Sequence, residues 1–300
     1  MNDKQNSSGT LKQIHANICV NTDGNKIAIV DSNEKSIAYN EFYEATERMS
    51  HYLTYELGFK QKERIGIVAG WNLDEIVTCF AALNAGLSLV LQNPRYPQQK
   101  INEAFGSVNG IRVISKSDLP DIEELILNKK FKTDSQVNNY IAPSDETFVL
   151  FSSGSTGLPK PVINTHKTTY GNMVNAPIHD KNGVFLTTSP YCHILGNLII
   201  NTAFYDGATL VLADTLNPDK IAKLSKKYKA TTVIGAPRMF EGLIDKDINE
   251  KGTLRRAFSG GQIIPKDICN KFYAATGIHL INAYGSTECI FHGCTEGCLK

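Results

Sequence analysis

The chain has 300 residues, 42% of them hydrophobic and 20% charged, with 31 Lys and Arg set against 30 Asp and Glu for a formal net charge of +1. A chain of this length buries roughly three quarters of its unfolded surface without disulfide staples, and so even a charge balance lacks the basic footprint that nucleic acid demands. Seven cysteines, at 19, 79, 192, 269, 289, 294 and 298, are odd in number and lack paired short spacings; with no export signal at the start, they point to a reducing cytoplasm.

The first residues, MNDKQNSSGT, are polar and have no apolar stretch, so residues 1–20 are expected to form a flexible tail. KIAIVD (26–31) and SIAYN (36–40) flank a polar turn and predict a hairpin. A helix from Asn40 then places Phe42, Ala45, Met49 and Leu53 on one stripe, with Gly58 as its stop. RIGIVAG (64–70) reads as an apolar strand, 73–85 as a helix, LSLVL (87–91) as a strand, NPRYP (93–97) as a turn and IRVIS (111–115) as a further strand after a short helix. The uncharged run IVTCFAALNAGLSLVL (76–91) is shorter than the ~20 residues of a spanning helix and is interrupted by Asn84, Gly86 and Ser88. A helix, a glycine stop and a buried strand account for it, and no transmembrane segment is expected.

Residues 115–146 are polar and irregular and predict an excursion between two lobes, roughly 21–145 and 146–300. After them TFVLF (147–151), VFLTTS (184–189), ATLVLAD (208–214), TTVIGAP (231–237), RRAFSGG (255–261) and IHLINAYG (278–285) read as strands. Helical stretches fall between them at 194–205, 217–229, 237–247 and 265–275. Ile221, Leu224 and Tyr228 form a core stripe, and Lys220, Lys223, Lys226, Lys227 and Lys229 a solvated face. Alternation of this kind is the pattern of a parallel α/β sheet, in which ligands gather beyond the carboxyl ends of strands.

Three loops occupy such ends: SSGSTGLPKP (152–161), SGGQ (259–262) and YGSTE (284–288). In the first, glycines let main-chain amides approach an anion, hydroxyls add small donors, and Lys160 supplies a positive charge. A flexible linker has a similar composition, yet needs no lysine held between Pro159 and Pro161. The nucleotide P-loop is excluded because Gly157 stands three residues before Lys160 and Pro161 follows it, where G-K-[ST] and a helix are required. No G-x-S-x-G elbow and no G-x-G-x-x-G fingerprint occurs in these loops.

FSSGSTGLPKP resembles the signature loop of the adenylate-forming, AMP-binding superfamily, which includes acyl-CoA synthetases, luciferases and peptide-synthetase adenylation domains. NAYGSTE (282–288) resembles its second signature and SGGQIIP (259–265) its adenine-contacting turn. AALNAGLSLVLQNPRYP and SPYCHILG are also similar to family segments, so the resemblance runs from about residue 26 to the end. It implies an α/β fold, the layered αβαβα large N-terminal domain with two mostly parallel sheets and flanking helices, here truncated. It also implies ATP-dependent activation of a small-molecule carboxylic acid: a carboxylate oxygen attacks the α-phosphorus, pyrophosphate leaves, and the acyl group passes to a thiol such as coenzyme A, with Mg²⁺ matching the phosphate charge.

Carried over by position, Ser152, Ser153, Gly154, Ser155, Thr156, Gly157 and Lys160 would wrap the β- and γ-phosphates, and Thr287 would donate to the α-phosphate. Glu288 would hold Mg²⁺. Tyr284 would stack on adenine, with Asn282, Gly260, Gly261 and Gln262 at its edge and Ala283, Gly285 and Ser286 completing the cradle. His193, in SPYCHILG, would orient the carboxylate or gate thiol entry, and segments 194–201 and 235–240 would line the acyl pocket. On the residues alone, Tyr284 also reads as a core aromatic, Glu288 as a surface carboxylate and His193 as structural.

Two features depart from the family pattern. Pro161 replaces the usual glycine after the loop lysine, removing an amide donor and stiffening the loop. Only twelve residues follow Glu288, so the mobile C-terminal domain is expected to be absent, or supplied by a separate chain as partner. A catalytically inactive nucleotide- or acyl-binding pseudoenzyme is the alternative reading, and Cys289, His292, Cys294 and Cys298 offer a further one, a zinc site without a C-x₂-C knuckle.

Overall fold

A computed structural model of the protein describes residues 9–12, 15, 18, 21–127, 140–152, 159–249, 252–290 and 292–296. β1 (Ile27–Val30) and β2 (Ser36–Ala38) form the predicted antiparallel hairpin. The helix Tyr39–His51 buries Phe42, Ala45 and Met49 as their spacing requires, and a π-helical turn, Tyr52–Glu56, extends it. β3 (Arg64–Val68) leads to the helix Leu73–Asn84, whose start is fixed by a capping box in which Glu75 accepts from the main-chain N–H of Asn72. Gly86, at φ 76°, turns the chain into β4 (Ser88–Gln92), buried along its whole length. The helix Gln98–Gly106 and β5 (Ile111–Val113) follow.

The remaining strands are β6 (Glu146–Ser152), β7 (Lys160–Thr165), β8 (Val184–Thr187), β9 (Thr209–Leu212), β10 (Thr232–Gly235), β11 (Arg256–Gly260), β12 (Leu280–Tyr284) and β13 (Gly293–Glu296). Between them stand the helices His166–Val174, Ile194–Tyr205, Pro218–Tyr228, Pro237–Leu243 and Lys266–Thr276. Among the described residues the strands make two sheets, one ordered β13-β12-β11-β10-β8-β9-β1-β2 and the other β5-β3-β4-β6-β7. The interior pairings of both are parallel, and antiparallel strands close the edges: β2 and β13 on the first sheet, β7 on the second.

Side-chain alternation along these strands sorts the core into layers. Ile65, Ile67, Leu89, Leu91, Phe148 and Leu150 of the five-stranded sheet share one cluster with Phe185, Leu210, Ile234 and Phe258 of the eight-stranded sheet, and the helices Tyr39–His51, Leu73–Asn84 and Ile194–Tyr205 fill the space between. On the far side of the eight-stranded sheet, Leu186, Val233 and Ala257 meet Ile221, Phe240 and Phe272 of three further helices. Val90 and Val149 meet Ile101 and Phe105 of the helix Gln98–Gly106 on the far side of the other sheet. The molecule is therefore the expected αβαβα stack.

The tail and the lobe boundary are both corrected: within residues 1–20, Leu11 and His15 are buried in the core, with Leu11 N–H donating to His166 Nδ1 at 3.2 Å and His15 stacked on Phe80. The irregular stretch after β5 contains a 3₁₀ turn, Lys116–Asp118, and the helix Ile122–Leu127, and β6 then returns to the same sheet beside β4. The chain crosses to the eight-stranded sheet between β7 and β8, and β1 already belongs to that sheet through parallel pairing with β9. A cut near residue 145 therefore separates neither sheet from the other: β1 and β2 before it complete the eight-stranded sheet, and β6 and β7 after it complete the five-stranded one. Among the described residues no helix is long and apolar enough to cross a membrane.

Candidate active site

The Gly/Ser run joins two antiparallel strands. β6 and β7 pair with Phe151 opposite Pro161 and Ser152 opposite Lys160, so the run is the connection of a hairpin at the sheet edge. Ser153, Gly154, Ser155, Thr156 and Gly157 lie outside the described residues. Lys160 is exposed, and Pro161 stands in an edge strand, the place in a sheet where a missing N–H is tolerated.

The other two motifs end adjacent parallel strands. Ser259 pairs with Asn282 and Gly260 with Ala283, and Asn282 pairs in turn with Thr295 on β13. Paired residues share a face, so the predicted residues divide. Gly260 and Ala283 look toward the central layer, where a Cβ on Gly260 would lie 3.2 Å from Leu195 Cδ2. Ser259, Asn282, Thr295 and Tyr284 take the opposite face. There Ser259 Oγ, Asn282 Oδ1 and Thr295 Oγ1 are buried and have no hydrogen-bond partner among the described residues. Three orphaned polar atoms in one cross-strand row suit a ligand edge that carries donors and acceptors.

Tyr284 is 66% exposed and so is not a core aromatic; one face of its ring stacks on His292, with centroids 4.9 Å apart. Gly261, at φ 86°, turns the chain past β11 with open space where a Cβ would stand, and Gln262 beside it is exposed. The β12–β13 turn is tied by its own atoms: Cys289 N–H donates to Ser286 Oγ at 3.2 Å, His292 N–H donates to the Tyr284 carbonyl at 2.9 Å, and His292 Nε2 lies 3.3 Å from Ser286 Oγ. Gly285 and Glu288 are exposed and Thr287 is half-buried.

His193 is the N-cap residue of the helix Ile194–Tyr205. Its Nε2 lies 3.2 Å from Asn93 Nδ2, and desolvation by the surrounding protein, with Lys100 second, lowers the imidazole's pKa below its ordinary value. Asn93 was legible only as part of a turn. The turn is tied across the two sheets: Arg95 stacks its guanidinium over Trp71, 4.4 Å from the ring centroid, and pairs with Asp214 after β9, while Trp71 Nε1–H donates to the Thr188 carbonyl at 2.9 Å. Gly70 lets Pro94 seat, since a Cβ there would lie 2.8 Å from Pro94 Cγ.

The fold thus brings His193, Leu195, Gly260 and Ala283 together on the central face and sets Asn282, Tyr284 and Gly261 on the other side of the same strand ends. Ser152 and Lys160 belong to the other sheet. A cavity of about 730 Å³, lined by Ile67, Val68, Tyr96, Ile101, Phe105 and Val113 among others, lies at the ends of β3 and β5 and touches none of the predicted site residues.

Among the described residues no three His, Cys, Asp or Glu side chains gather as for a metal, which removes support for zinc; Cys298 lies outside those residues. Mg²⁺ keeps its waters and takes one or two carboxylates plus substrate phosphates, and Glu288 is exposed. Against the expectation of a wholly reduced chain, Cys269 is disulfide-bonded, while Cys79, Cys192 and Cys294 carry free thiols.

N-benzoylphenylalaninol synthetase apmA of Penicillium brevicompactum is 26% identical over 266 residues, covering 84% of this chain and 11% of that protein. The 2-succinylbenzoate–CoA ligase of Staphylococcus epidermidis is 24% identical over 284 residues, covering 89% of this chain and 56% of the ligase. The chain therefore spans about half or less of the length of these relatives. Among solved structures, the N-terminal subdomain of Klebsiella oxytoca NpsA in complex with 3-hydroxybenzoyl-AMSN superposes with a TM-score of 0.84 at 16% identity, covering 100% of this chain and 78% of that one, and shows the same fold. The family model for AMP-binding enzymes matches residues 17–299, and on that match, with its three motifs at the ends of β6, β11 and β12, the chain belongs to the AMP-binding enzyme family.

Proposed function

We propose that the protein activates a small-molecule carboxylic acid with ATP and Mg²⁺, as part of an acid–thiol ligase that passes the acyl group to coenzyme A in the cytoplasm. The observation that carries this reading is the division of residues at the ends of β11 and β12. Orphaned Ser259 Oγ and Asn282 Oδ1 lie beside exposed Tyr284 on one face, and His193 with Leu195 against Gly260 lies on the other. A base resting on Tyr284 would find hydrogen-bonding partners in Asn282 and Ser259. An acyl group would lie across the strand ends near Leu195, which sets its carboxylate close to the nucleotide's phosphates.

When bound, ATP supplies the α-phosphorus that the carboxylate oxygen attacks, with pyrophosphate as leaving group. The chain's own residues hold and orient: Lys160 and Ser152 at the hairpin mouth for phosphate oxygens, Thr287 as a hydroxyl donor, Glu288 for the metal and His193 for the carboxylate. Charge matching of this kind, in a site from which water is excluded, is worth about 10²–10³ in rate per preorganised group. The acceptor thiol, and a partner chain carrying the remaining family elements, are part of the same proposal.

The test is acid-dependent ATP–pyrophosphate exchange by the chain over a panel of fatty, aryl and dicarboxylic acids. Exchange should appear with at least one acid and fall about 100-fold in Glu288→Gln. ATP binding without exchange for any acid would replace the proposal with the pseudoenzyme reading, in which Pro161 stiffens the hairpin beyond use.

A further inference from the structure

We propose that Asn93 is a positioning residue that holds His193 as the neutral tautomer protonated on Nδ1, so that the ring presents an N–H donor to the carboxylate being activated. The inference rests on the function proposed above for its purpose, and on geometry alone for the tautomer.

The argument begins with the sequence N-P-R-Y. Asparagine before proline starts a turn, and here Tyr96 N–H donates to the Asn93 carbonyl at 3.0 Å. The Asn93 side chain closes the smaller ring of the same turn, with Oδ1 accepting the Arg95 N–H at 2.9 Å. That bond settles which way the amide points, because the carbonyl oxygen must face Arg95 and the amino group must then face His193. An amino group only donates. At 3.2 Å its partner Nε2 has to accept, which leaves the ring's single proton on Nδ1.

The surroundings hold this assignment in place. Asn93 is only 7% exposed. Its turn is pinned by Pro94 over Gly70 and by Arg95 between Trp71 and Asp214, so the amide cannot swing away to let Nε2 take a proton. Doubly protonated imidazole would set two donors against each other. His193 also stands at the N-terminus of a twelve-residue helix, whose dipole disfavours a cation there. Lys100 on the helix Gln98–Gly106 acts on the ring in the same sense, and the Cys192 thiol next in sequence is held neutral by burial. His193 itself is exposed, and its Nδ1 makes no hydrogen bond among the described residues. A donor left unpaired in this way, beside Leu195 and Gly260, suits an anionic oxygen.

The test is long-range proton–nitrogen NMR on chain labelled with ¹⁵N-histidine, with the His193 signals identified by their loss in His193→Gln. The parent should show a bare Nε2 and a protonated Nδ1. Asn93→Asp keeps the acceptor for Arg95 N–H, and so keeps the turn, but replaces the donor facing Nε2 by a carboxylate oxygen. The tautomer should invert to Nε2–H, and kcat/KM for the acid should fall about tenfold or more, with the KM for ATP within about twofold. A parent ring protonated on Nε2, or a signal pattern unchanged in Asn93→Asp, overturns the inference. Inversion in a chain that shows no exchange with any acid would retire the proposed function and leave the tautomer assignment standing. Exchange that survives Asn93→Asp at full rate after inversion would refute the positioning role.

Discussion

Gly196 offers the sharpest structural test of where His193 sits. It lies in the first turn of the helix Ile194–Tyr205, and a Cβ there would stand 2.0 Å from the Pro190 carbonyl oxygen, 2.6 Å from its carbon and 2.9 Å from the Ser189 carbonyl oxygen. All three are main-chain atoms, so no rotamer change relieves the overlap. Overpacking costs about 1–3 kcal/mol where side chains can give way, and a main-chain obstacle puts Gly196→Ala at about 3 kcal/mol. Helix propensity returns up to about 1 kcal/mol, leaving a net loss of about 2 kcal/mol. With an unfolding entropy of about 2.1 cal/mol/K per residue over 300 residues, that loss lowers Tm by about 3 °C. Gly235→Ala is a comparator: its Cβ would meet Met239 Sδ at 2.6 Å, but that is the end of a flexible side chain and can move. Gly260→Ala meets Leu195 at 3.2 Å and should be milder still. Thermal melts followed by circular dichroism should rank the losses Gly196, Gly235, Gly260. If Gly196→Ala melts within about 1 °C of the parent, the turn Ser189–His193 does not pack on the helix as described, and the site built on it falls.

Acid should weaken the fold through two buried imidazoles. Burial, with His166 beside it, holds His15 down to about 3, and burial holds His166 down to about 4 against the opposing pull of Asp145. Both folded values lie below the ordinary 6.5, so the unfolded chain binds more protons; stability is complete above about pH 7 and drains away as pH falls through 6.5 toward the folded values, by about 1.4 kcal/mol per unit for each group. His179, raised by its 2.8 Å bond to Asp206, works in the opposite sense. Urea titrations between pH 6 and pH 4.5 should therefore show a slope shallower by about 1.4 kcal/mol per unit in His15→Leu than in the parent, and equal slopes would contradict the assignment. At the nucleotide face, Tyr284→Ala should weaken Mg·ATP binding by about 1–3 kcal/mol, the usual worth of a base stacked on an aromatic ring. Calorimetric affinities that agree within twofold would remove Tyr284 from the site.

Much of the architecture was legible because the central strands are written in apolar blocks. RIGIV, SLVLQ and TLVL are buried on both faces and bounded by glycine or polar turns, and they emerge as β3, β4 and β9. β7 was not legible. Its sequence, KPVINT, is polar and begins with Lys-Pro, and it becomes a strand only because β6 offers a free edge. The helix His166–Val174 was missed for a related reason: it buries His166, Thr169 and Met173, a stripe that no hydrophobic pattern announces. Sheet membership was hidden too, since β1 finds its parallel partner β9 some 180 residues later in the chain.

The site divides the same way. Gly260, Gly261, Asn282 and Tyr284 could be singled out because SGGQIIP and NAYGSTE resemble family signatures. Ser259 could not, being an ordinary strand serine until its register with Asn282 and its unpaired hydroxyl are known. Asn93 reads as a turn former in the sequence, and only the fold sets its amide against His193.

The central claim is that the ends of β11 and β12 form a nucleotide site, and calorimetric titration of the purified chain with Mg·ATP tests it most directly. One saturable site with a Kd below about 1 mM, weakened in Asn282→Ala where the buried polar row of Ser259, Asn282 and Thr295 is cut, is the predicted result. A flat titration at millimolar Mg·ATP, or an affinity indifferent to Asn282, would contradict it.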